Sequence, residues 1–247
     1  MDRSGDQGQF VIIGKDLEGT RLKLFAGETL EKNYLMLACL ILQDEIRAAV
    51  AETKVKFPIL FIPSNLHLFP DKLREYLQKI IDNLENVDYI MLPMGRCGNG
   101  TLGLRSEHAF IVLPKCEDCI NLILSDKDIQ VERSKYSYFL TDGWLRDENA
   151  IHKEFLKTVT KYGREKAAMV MRRIYANYRH FVFLDTGAYC LETAHEKVHD
   201  LSEIVEMDII SVEGKCGVLG KMMRLDFDDN FVIVPPGTRV SEKHFAK

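Results

Sequence analysis

The sequence predicts an α/β fold in which parallel sheets are covered by helices on both faces, as in Rossmann-like proteins. Short apolar runs alternate with amphipathic stretches along most of the chain. The stretch that begins at Pro70 carries apolar side chains at the 3.6-residue spacing of a helix. Hydrophobic residues make up 46% and charged residues 28% of the 247. These values are ordinary for a globular protein and exclude disordered and collagen-like classes.

Short apolar runs that end at polar or turn residues predict the strands. In chain order they cover residues 10–13, 34–38, 59–62, 89–92, 109–113, 136–140, 181–184, 208–212 and 231–234. Helices are predicted over 43–53, 70–86, from Ile120 onward, and over 149–177 and 191–205. Pro70 suits the first turn of its helix. Because strands and helices alternate, we expect the strands to be parallel.

Two domain arrangements fit this order. Residues 1–33 are predicted to be an N-terminal extension and 34–247 an α/β domain. Within that domain, the helices of 149–177 separate an early group of strands from a late one. We therefore consider two lobes, at 34–145 and 178–240, joined by those helices.

The charge balance limits the classes of partner that we expect for this chain. The chain has 33 Lys and Arg against 37 Asp and Glu, a net charge of −4, which argues against a nucleic-acid or anionic-membrane binder. No apolar run reaches the roughly 20 residues needed to cross a bilayer, and the polar N-terminus has no signal-peptide core. We expect no membrane association and a cytoplasmic location. In such a reducing compartment, six cysteines indicate metal binding or catalysis more than disulfides.

Reactive side chains follow four successive predicted strands: Cys39, His67, Cys97 and Cys119. Ligands of parallel sheets bind beyond the carboxyl ends of the strands, so we expect these residues to converge. The three thiols are predicted to bind a metal, with His67 at the rim. Thiolates suit zinc or an iron–sulfur cluster, and three of them leave one coordination position open. The alternative is that free cysteines pack as small apolar side chains.

Two neighbours extend this predicted site. Cys116 forms a C-x-x-C pattern with Cys119, which is typical of a redox pair or of half a zinc site. Glu117 lies between them and is a further candidate ligand. Because Cys119 lies near a predicted helix start, we expect its pKa to be lowered.

Loops after the predicted strands supply candidate contacts to a small-molecule ligand. These candidates are Gly98, Asn99, Gly100, Asp118, Thr141, Trp144, Asp185 and Thr186. We expect Trp144, the only tryptophan, to line the same cleft as Cys97. The alternative for these loops is ordinary turn chemistry.

An H-E-x-x-H pattern occurs at His195-Glu196-Lys197-Val198-His199. On one helix face the two imidazoles would hold zinc and the glutamate would act as the base of a hydrolase. Lys197 within the pattern and Asp200 after it favour a solvated helix instead.

Several segments are similar to motifs of one known family. Residues 94–104, MGRCGNGTLGL, resemble its Y-G-x-C-G-N-G-x-x-G-L, and residues 114–120, PKCEDCI, resemble its P-R-x-H-D-C-I. Lys115 replaces the arginine and Glu117 the histidine of the second motif. Residues 66–73 resemble its L-H-x-x-P-x-x-L. From about 34 to 240 the chain thus resembles the family of the domain of unknown function 1638, which occurs mostly in anaerobic bacteria and methanogenic archaea.

The resemblance implies that Cys39, Cys97 and Cys119 are the family's three thiols. Members accompany genes for corrinoid-dependent methyltransferases, which implies anaerobic one-carbon metabolism, with a corrinoid as a further cofactor and methyltransferase proteins as partners. The expected function is therefore an enzyme of methyl transfer or an accessory to one. The alternatives are a non-catalytic small-molecule or cofactor sensor or chaperone and, less favoured, an H-E-x-x-H zinc hydrolase. The substrate, the metal and the oligomeric state are left open.

Overall fold

A computed structural model describes residues 10–12, 22–23, 31–55, 57–129 and 132–246 of the chain. They form two compact units. Unit 1 holds the described residues up to 129 and from 216 onward, and unit 2 holds 132–215. The helices of the 149–177 stretch lie within unit 2, so the units have other bounds than the two predicted lobes.

The elements of unit 1 come in two stretches of chain. The first contains β1 (Phe10–Ile12), β2 (Leu22–Lys23), β3 (Tyr34–Cys39), α1 (Gln43–Thr53), β4 (Ile59–Ile62), α2 (Pro70–Asp82), β5 (Leu84–Glu85), β6 (Tyr89–Met91), β7 (Phe110–Pro114) and α3 (Cys119–Leu124). Unit 2 follows with β8 (Ser137–Leu140), α4 (Asp142–Arg146), α5 (Ile151–Tyr162), α6 (Arg164–Ile174), β9 (His180–Asp185), α7 (Leu191–Glu196), α8 (His199–Val205) and β10 (Asp208–Glu213). The chain then returns to unit 1 with α9 (Gly217–Met223) and β11 (Phe231–Val234). Short 3-10 helices occupy Leu40–Leu42, Ser64–Leu68 and Glu242–His244.

The predicted α/β class is confirmed. In unit 1 a six-stranded sheet has the order β1-β4-β3-β6-β7-β11, and all neighbouring strands are parallel except β7 and β11. The antiparallel β11 corrects the expectation that every strand runs parallel. Strand β1 pairs with β4, so part of the predicted N-terminal extension belongs to this sheet.

Burial explains why the unit 1 strands are apolar throughout. Residues 35–38 of β3 are fully buried although successive side chains point to opposite faces. On one face, Leu35 and Leu37 pack in a core with Leu73 and Leu77 of α2. Helix α2 ends at Asp82, earlier than the predicted residue 86, because Leu84 joins the short strand β5. The sheet is thus held by helix packing and exposes one end for loops.

Unit 2 has a three-stranded parallel sheet in the order β10-β9-β8. Two of its predicted helices are divided. Gly163, at φ +82°, separates α5 from α6, and the predicted helix over 191–205 is broken between Glu196 and His199. Phe181 and Phe183 of β9 are fully buried in its core. No helix in the described ranges of either unit is long and apolar enough to cross a membrane.

Candidate metal or ligand site

The topology of unit 1 places three cysteine-bearing strand ends side by side. Strands β3, β6 and β7 are adjacent and parallel, so their carboxyl ends share one edge of the sheet. Cys39 is the last residue of β3, Cys97 follows β6, and Cys119 begins α3 after β7. The strand arrangement on which the predicted convergence depends is therefore present.

Backbone hydrogen bonds join the loops that follow β6 and β7. The Arg96 N–H donates to Cys116 O at 2.9 Å, and the Cys97 N–H donates to Glu117 O at 2.8 Å. Gly95, at φ +57°, makes the approach possible, since a Cβ built there would lie 2.3 Å from Cys116 O and 2.6 Å from Cys116 Sγ. The segment 93–103, hereafter the Cys97 loop, is thus held directly against Cys116.

Asp118 determines where α3 begins. Its Oδ1 accepts hydrogen bonds from the N–H groups of Ile120 and Asn121, both at 3.1 Å, as an N-cap side chain does. Cys119 consequently lies in the first turn of the helix and is buried. The Cys116 thiol donates to Asp118 O at 3.3 Å. One short segment therefore anchors both thiols of the C-x-x-C pattern.

We name Cys39, Cys97, Cys116 and Cys119 the cysteine cluster. Burial, and then the negative charge of Asp118, raise the pKa of Cys97 to about 11. Burial is also the main cause of a raised pKa at Cys116 and at Cys119. The charges of Cys97, Cys39 and Cys116 contribute to the raised pKa of Cys119, so the four sulfurs lie in one electrostatic environment.

The expectation of a lowered pKa at Cys119 is therefore wrong. The helix α3 has six residues, and the desolvation of a thiolate outweighs any favourable effect of its N-terminus. Burial thus favours the neutral thiol at Cys97, Cys116 and Cys119.

Soft sulfur donors fit zinc or an iron–sulfur cluster by their chemistry. As the side chains stand, however, no group of three or more His, Cys, Asp or Glu residues in the described ranges is arranged to hold a metal ion. Binding one would require side-chain rotation and adjustment of a loop. Cys97 itself has φ +44°, a conformation unfavourable for a residue with a Cβ, so its backbone is strained in the present arrangement.

Polar contacts occupy the outer side of the Cys97 loop. The Arg96 guanidinium donates to Asn99 Oδ1 at 2.8 Å and pairs with Glu117 at 3.4 Å and with Glu242 at 3.5 Å. Glu117 is exposed and engaged in this ion pair. Its carboxylate is therefore directed to a cation of the protein itself, and its predicted role as a ligand stays a prediction.

The other predicted contacts in unit 1 are His67 and three residues of the Cys97 loop itself. His67 is in the 3-10 helix that follows β4, where its Nδ1 contacts Ser64 O. Gly98 and Asn99 are exposed, whereas Gly100 is buried, and a Cβ built there would lie 2.8 Å from Leu73 of α2. Gly100 thus serves the packing of the loop on α2.

The remaining predicted contacts lie in unit 2. Thr141 is fully buried and precedes α4, and Trp144 packs against the core of this unit. Asp185 Oδ1 accepts from the Gly187 N–H at 3.2 Å, and Thr186 Oγ1 from the Ala188 N–H at 3.4 Å, which is turn chemistry. That Trp144 lines the cleft of Cys97 stays a prediction.

The H-E-x-x-H pattern does not form one continuous helix. Helix α7 ends at Glu196 and α8 begins at His199. His195 Nε2 contacts Ser211 Oγ at 3.1 Å, and its ring packs edge-on against Phe183. This arrangement does not favour the zinc hydrolase.

Sequence reasoning treated Cys116 as secondary, although the structure places it at the contact between the two loops. The signal that could have found it is the C-x-x-C pattern read together with Gly95. A glycine in the loop that follows a buried strand often marks a close approach of two backbones.

Comparisons with known proteins give one match. A family model described as "Protein of unknown function (DUF1638)" matches residues 61–223. No curated protein and no solved structure matches this chain. The matched segment includes Cys97, Cys116 and Cys119, while Cys39 precedes it. The match covers more than half of the chain, and the chain therefore belongs to the DUF1638 family.

Proposed function

We propose that unit 1 binds a thiophilic metal ion, or the metal of a small cofactor, through the cysteine cluster. The observation that carries this proposal is the set of chain positions from which the four thiols come. Four cysteines from three adjacent parallel strand ends share one electrostatic environment, in which Cys116 and Cys119 are buried, although Cys39 and Cys119 are distant in sequence. Apolar packing alone rarely requires four sulfurs at the sheet edge where ligands of parallel sheets bind. Soft metals, in contrast, bind through several sulfur ligands.

Burial supports a bound cation in a second way. Removing the proton of Cys97 or Cys119 is unfavourable in the metal-free protein, because an isolated thiolate would be desolvated. A metal cation compensates that charge, and its binding releases the thiol protons. Metal affinity should therefore rise with pH.

The Cys97 loop is the segment that we expect to adjust. It contains the strained Cys97, and its exposed Gly98 and Asn99 also have positive φ, +62° and +72°. Metal binding could relieve this strain while moving Cys97 Sγ toward Cys119.

Metal content is the direct test. The protein is purified without oxygen and analysed for zinc, iron and sulfide, and the metal-free protein is then titrated with Co²⁺ as a spectroscopic probe. We expect one metal site with thiolate-to-metal charge-transfer absorption. Cys97→Ser and Cys119→Ser should each weaken Co²⁺ binding more than about 100-fold, since even indirect partners of metal sites contribute 10–100-fold.

Two further cysteines provide matched controls. Cys190 is exposed in unit 2, and Cys216 lies before α9 in unit 1. Cys190→Ser and Cys216→Ser should bind Co²⁺ as the wild type does, and circular dichroism checks that every variant is folded. A folded wild type that shows no charge-transfer band with either Co²⁺ or iron would refute the metal site.

We further propose methyl transfer in anaerobic one-carbon metabolism as the reaction class, in the reducing cytoplasm. The family resemblance supports this class, and the chemistry of the donor set agrees with it. A metal-bound thiol is deprotonated near neutral pH and is a good nucleophile toward a methyl group. The test is anaerobic incubation of the metal-loaded protein with methylcobalamin, alone and with a corrinoid protein. An unchanged methylcobalamin spectrum in both would contradict methyl transfer, whereas metal content decides the metal site separately.

A further inference from the structure

Unit 1 has an open pocket of about 540 Å³ that is distinct from the cysteine cluster. It lies between helix α2 and the segments that contain Gly103 and Arg239. Three arginines from distant parts of the chain line it, namely Arg74, Arg105 and Arg239. Its other charged lining residues are Lys79 and the carboxylates Glu75, Asp82 and Glu107, so the cations exceed the anions by one. Its volume is within the usual range for small-molecule sites.

Two of these arginines are held opposite each other. Arg105 and Arg239 form an isolated antiparallel bridge. The backbone around them is fixed, since Gly103 N–H donates to Val240 O and Val240 N–H donates to Leu104 O, both at 2.8 Å. Like charges directly opposite each other are destabilising. The backbone thus maintains a cationic pair that the side chains alone disfavour.

The third arginine comes from α2, on the same helix face as Gln78. The Gln78 side chain accepts from the Arg105 N–H at 3.0 Å and donates to Arg105 O at 2.8 Å. It therefore fixes the backbone of Arg105 against the helix. A Cβ at Gly103 would lie 3.6 Å from Arg74 Cδ, so the Arg74 side chain runs beside the same loop.

Neutralisation of these guanidinium groups is incomplete. Arg105 pairs with Glu107 at 3.1 Å, and Arg74 with the exposed Asp71 at 2.6 Å. The Nε atoms of Arg74 and Arg105 have no hydrogen-bond partner among the described residues, but they are buried and so are not open to a ligand in the pocket. Arg239 donates to Gly103 O and forms no ion pair with any described carboxylate. The pocket therefore keeps guanidinium donors that its own carboxylates leave unused.

We propose that this pocket binds a small organic anion through its phosphate or carboxylate group. Guanidinium groups bind both oxyanions in a two-bond geometry, and an arginine is suited to such planar recognition. An oxyanion placed between Arg105 and Arg239 would reduce their repulsion and accept hydrogen bonds from their terminal guanidinium nitrogens. The proposal does not rest on metal binding, since it uses none of the cysteines.

The test is calorimetric titration of the full chain with inorganic phosphate and, separately, with malonate, in buffers matched in ionic strength with chloride. We expect saturable binding of one anion per chain. Arg105→Gln and Arg239→Gln should each weaken that binding about tenfold or more, since a hydrogen bond to a charged group contributes at least that factor. Binding of phosphate alone would assign the site to phosphate esters, and binding of malonate would assign it to carboxylates.

Arg47→Gln is the matched control, because Arg47 is an exposed arginine on α1 of the same unit and lies outside the pocket. It should leave anion binding unchanged. Circular dichroism verifies that the variants are folded, and Arg239→Gln is the safer of the two because Arg239 is exposed. The proposal is overturned if neither anion binds above the chloride control, or if the folded Arg239→Gln variant binds as tightly as the wild type.

Discussion

Replacing Gly95 by alanine should destabilise unit 1 more than its backbone conformation alone explains. At φ +57°, a residue with a Cβ lowers the free energy of unfolding by about 1–2 kcal/mol. The new Cβ would also lie 2.3 Å from Cys116 O, so the two loops must separate. Overpacking of this kind costs about 1–3 kcal/mol. Loss of the hydrogen bond from the Arg96 N–H to Cys116 O adds about 1 kcal/mol.

The expected total of about 3–6 kcal/mol is a large part of the stability of a typical domain. Gly237→Ala is the matched control in the same unit. Gly237 has φ +78°, but a Cβ there would have no atom within 4 Å. It should therefore show only the conformational loss of about 1–2 kcal/mol.

Urea denaturation followed by far-ultraviolet circular dichroism measures both variants. We expect Gly95→Ala to lose at least about 2 kcal/mol more than Gly237→Ala. Equal losses in the two variants would refute the tight contact between the Cys97 loop and Cys116.

Three further outcomes can be measured directly. Asp118→Asn keeps an N-cap oxygen but removes a negative charge that raises the pKa of Cys97. Alkylation of Cys97 should therefore begin at a lower pH than in the wild type, although burial keeps the pKa of Cys97 above its ordinary value. An unchanged alkylation profile would contradict this role of Asp118. The His195→Ala, His199→Ala double variant should retain its full metal content by elemental analysis, because these residues are on two separate helices; loss of the metal would restore the hydrolase hypothesis. Burial, followed by the charges of nearby lysines, lowers the pKa of His152 below its ordinary value of 6.5. As the pH falls, the unfolded chain therefore binds this proton before the folded chain does. The stability that the neutral ring contributes above about pH 6.5 is lost as the pH falls through the pKa of the folded protein. His152→Leu should reduce that pH dependence in urea titrations, and an identical dependence in both proteins would contradict the assignment.

The central strands of unit 1 could be predicted because they are short apolar runs buried on both faces, as 35–38 and 59–62 are. The direction of β11 could not, since its pairing with β7 depends on residues more than a hundred positions apart. The break between α7 and α8 was missed because the apolar spacing continues across it. There Val198 is fully buried although its backbone departs from the helix.

Only part of the candidate site could be predicted from the sequence. Cys39, Cys97 and Cys119 could be assigned to one sheet edge because each follows a predicted parallel strand, and the carboxyl ends of parallel strands share one edge. The raised pKa of Cys119 could not, because it follows mainly from burial, which is a property of the packed unit. The pocket of Arg74, Arg105 and Arg239 has no local pattern at all, since its members meet only after β7, α2 and the segment after β11 are assembled.

The two-part construction of unit 1 has a consequence for synthesis. Unit 2 is one continuous stretch, whereas unit 1 lacks α9 and β11 until the chain beyond residue 216 has been made. The returning chain binds beside the point where it left, as the Cys216 N–H donates to Ile123 O and the Gly217 N–H to Ser125 O, at 2.8 and 2.7 Å. On the ribosome, the second unit can therefore complete its fold while the first still exposes the edge of β7. The emerging β11 then covers that edge, so ribosome-bound chains that end before residue 231 should be the species most prone to pair with one another.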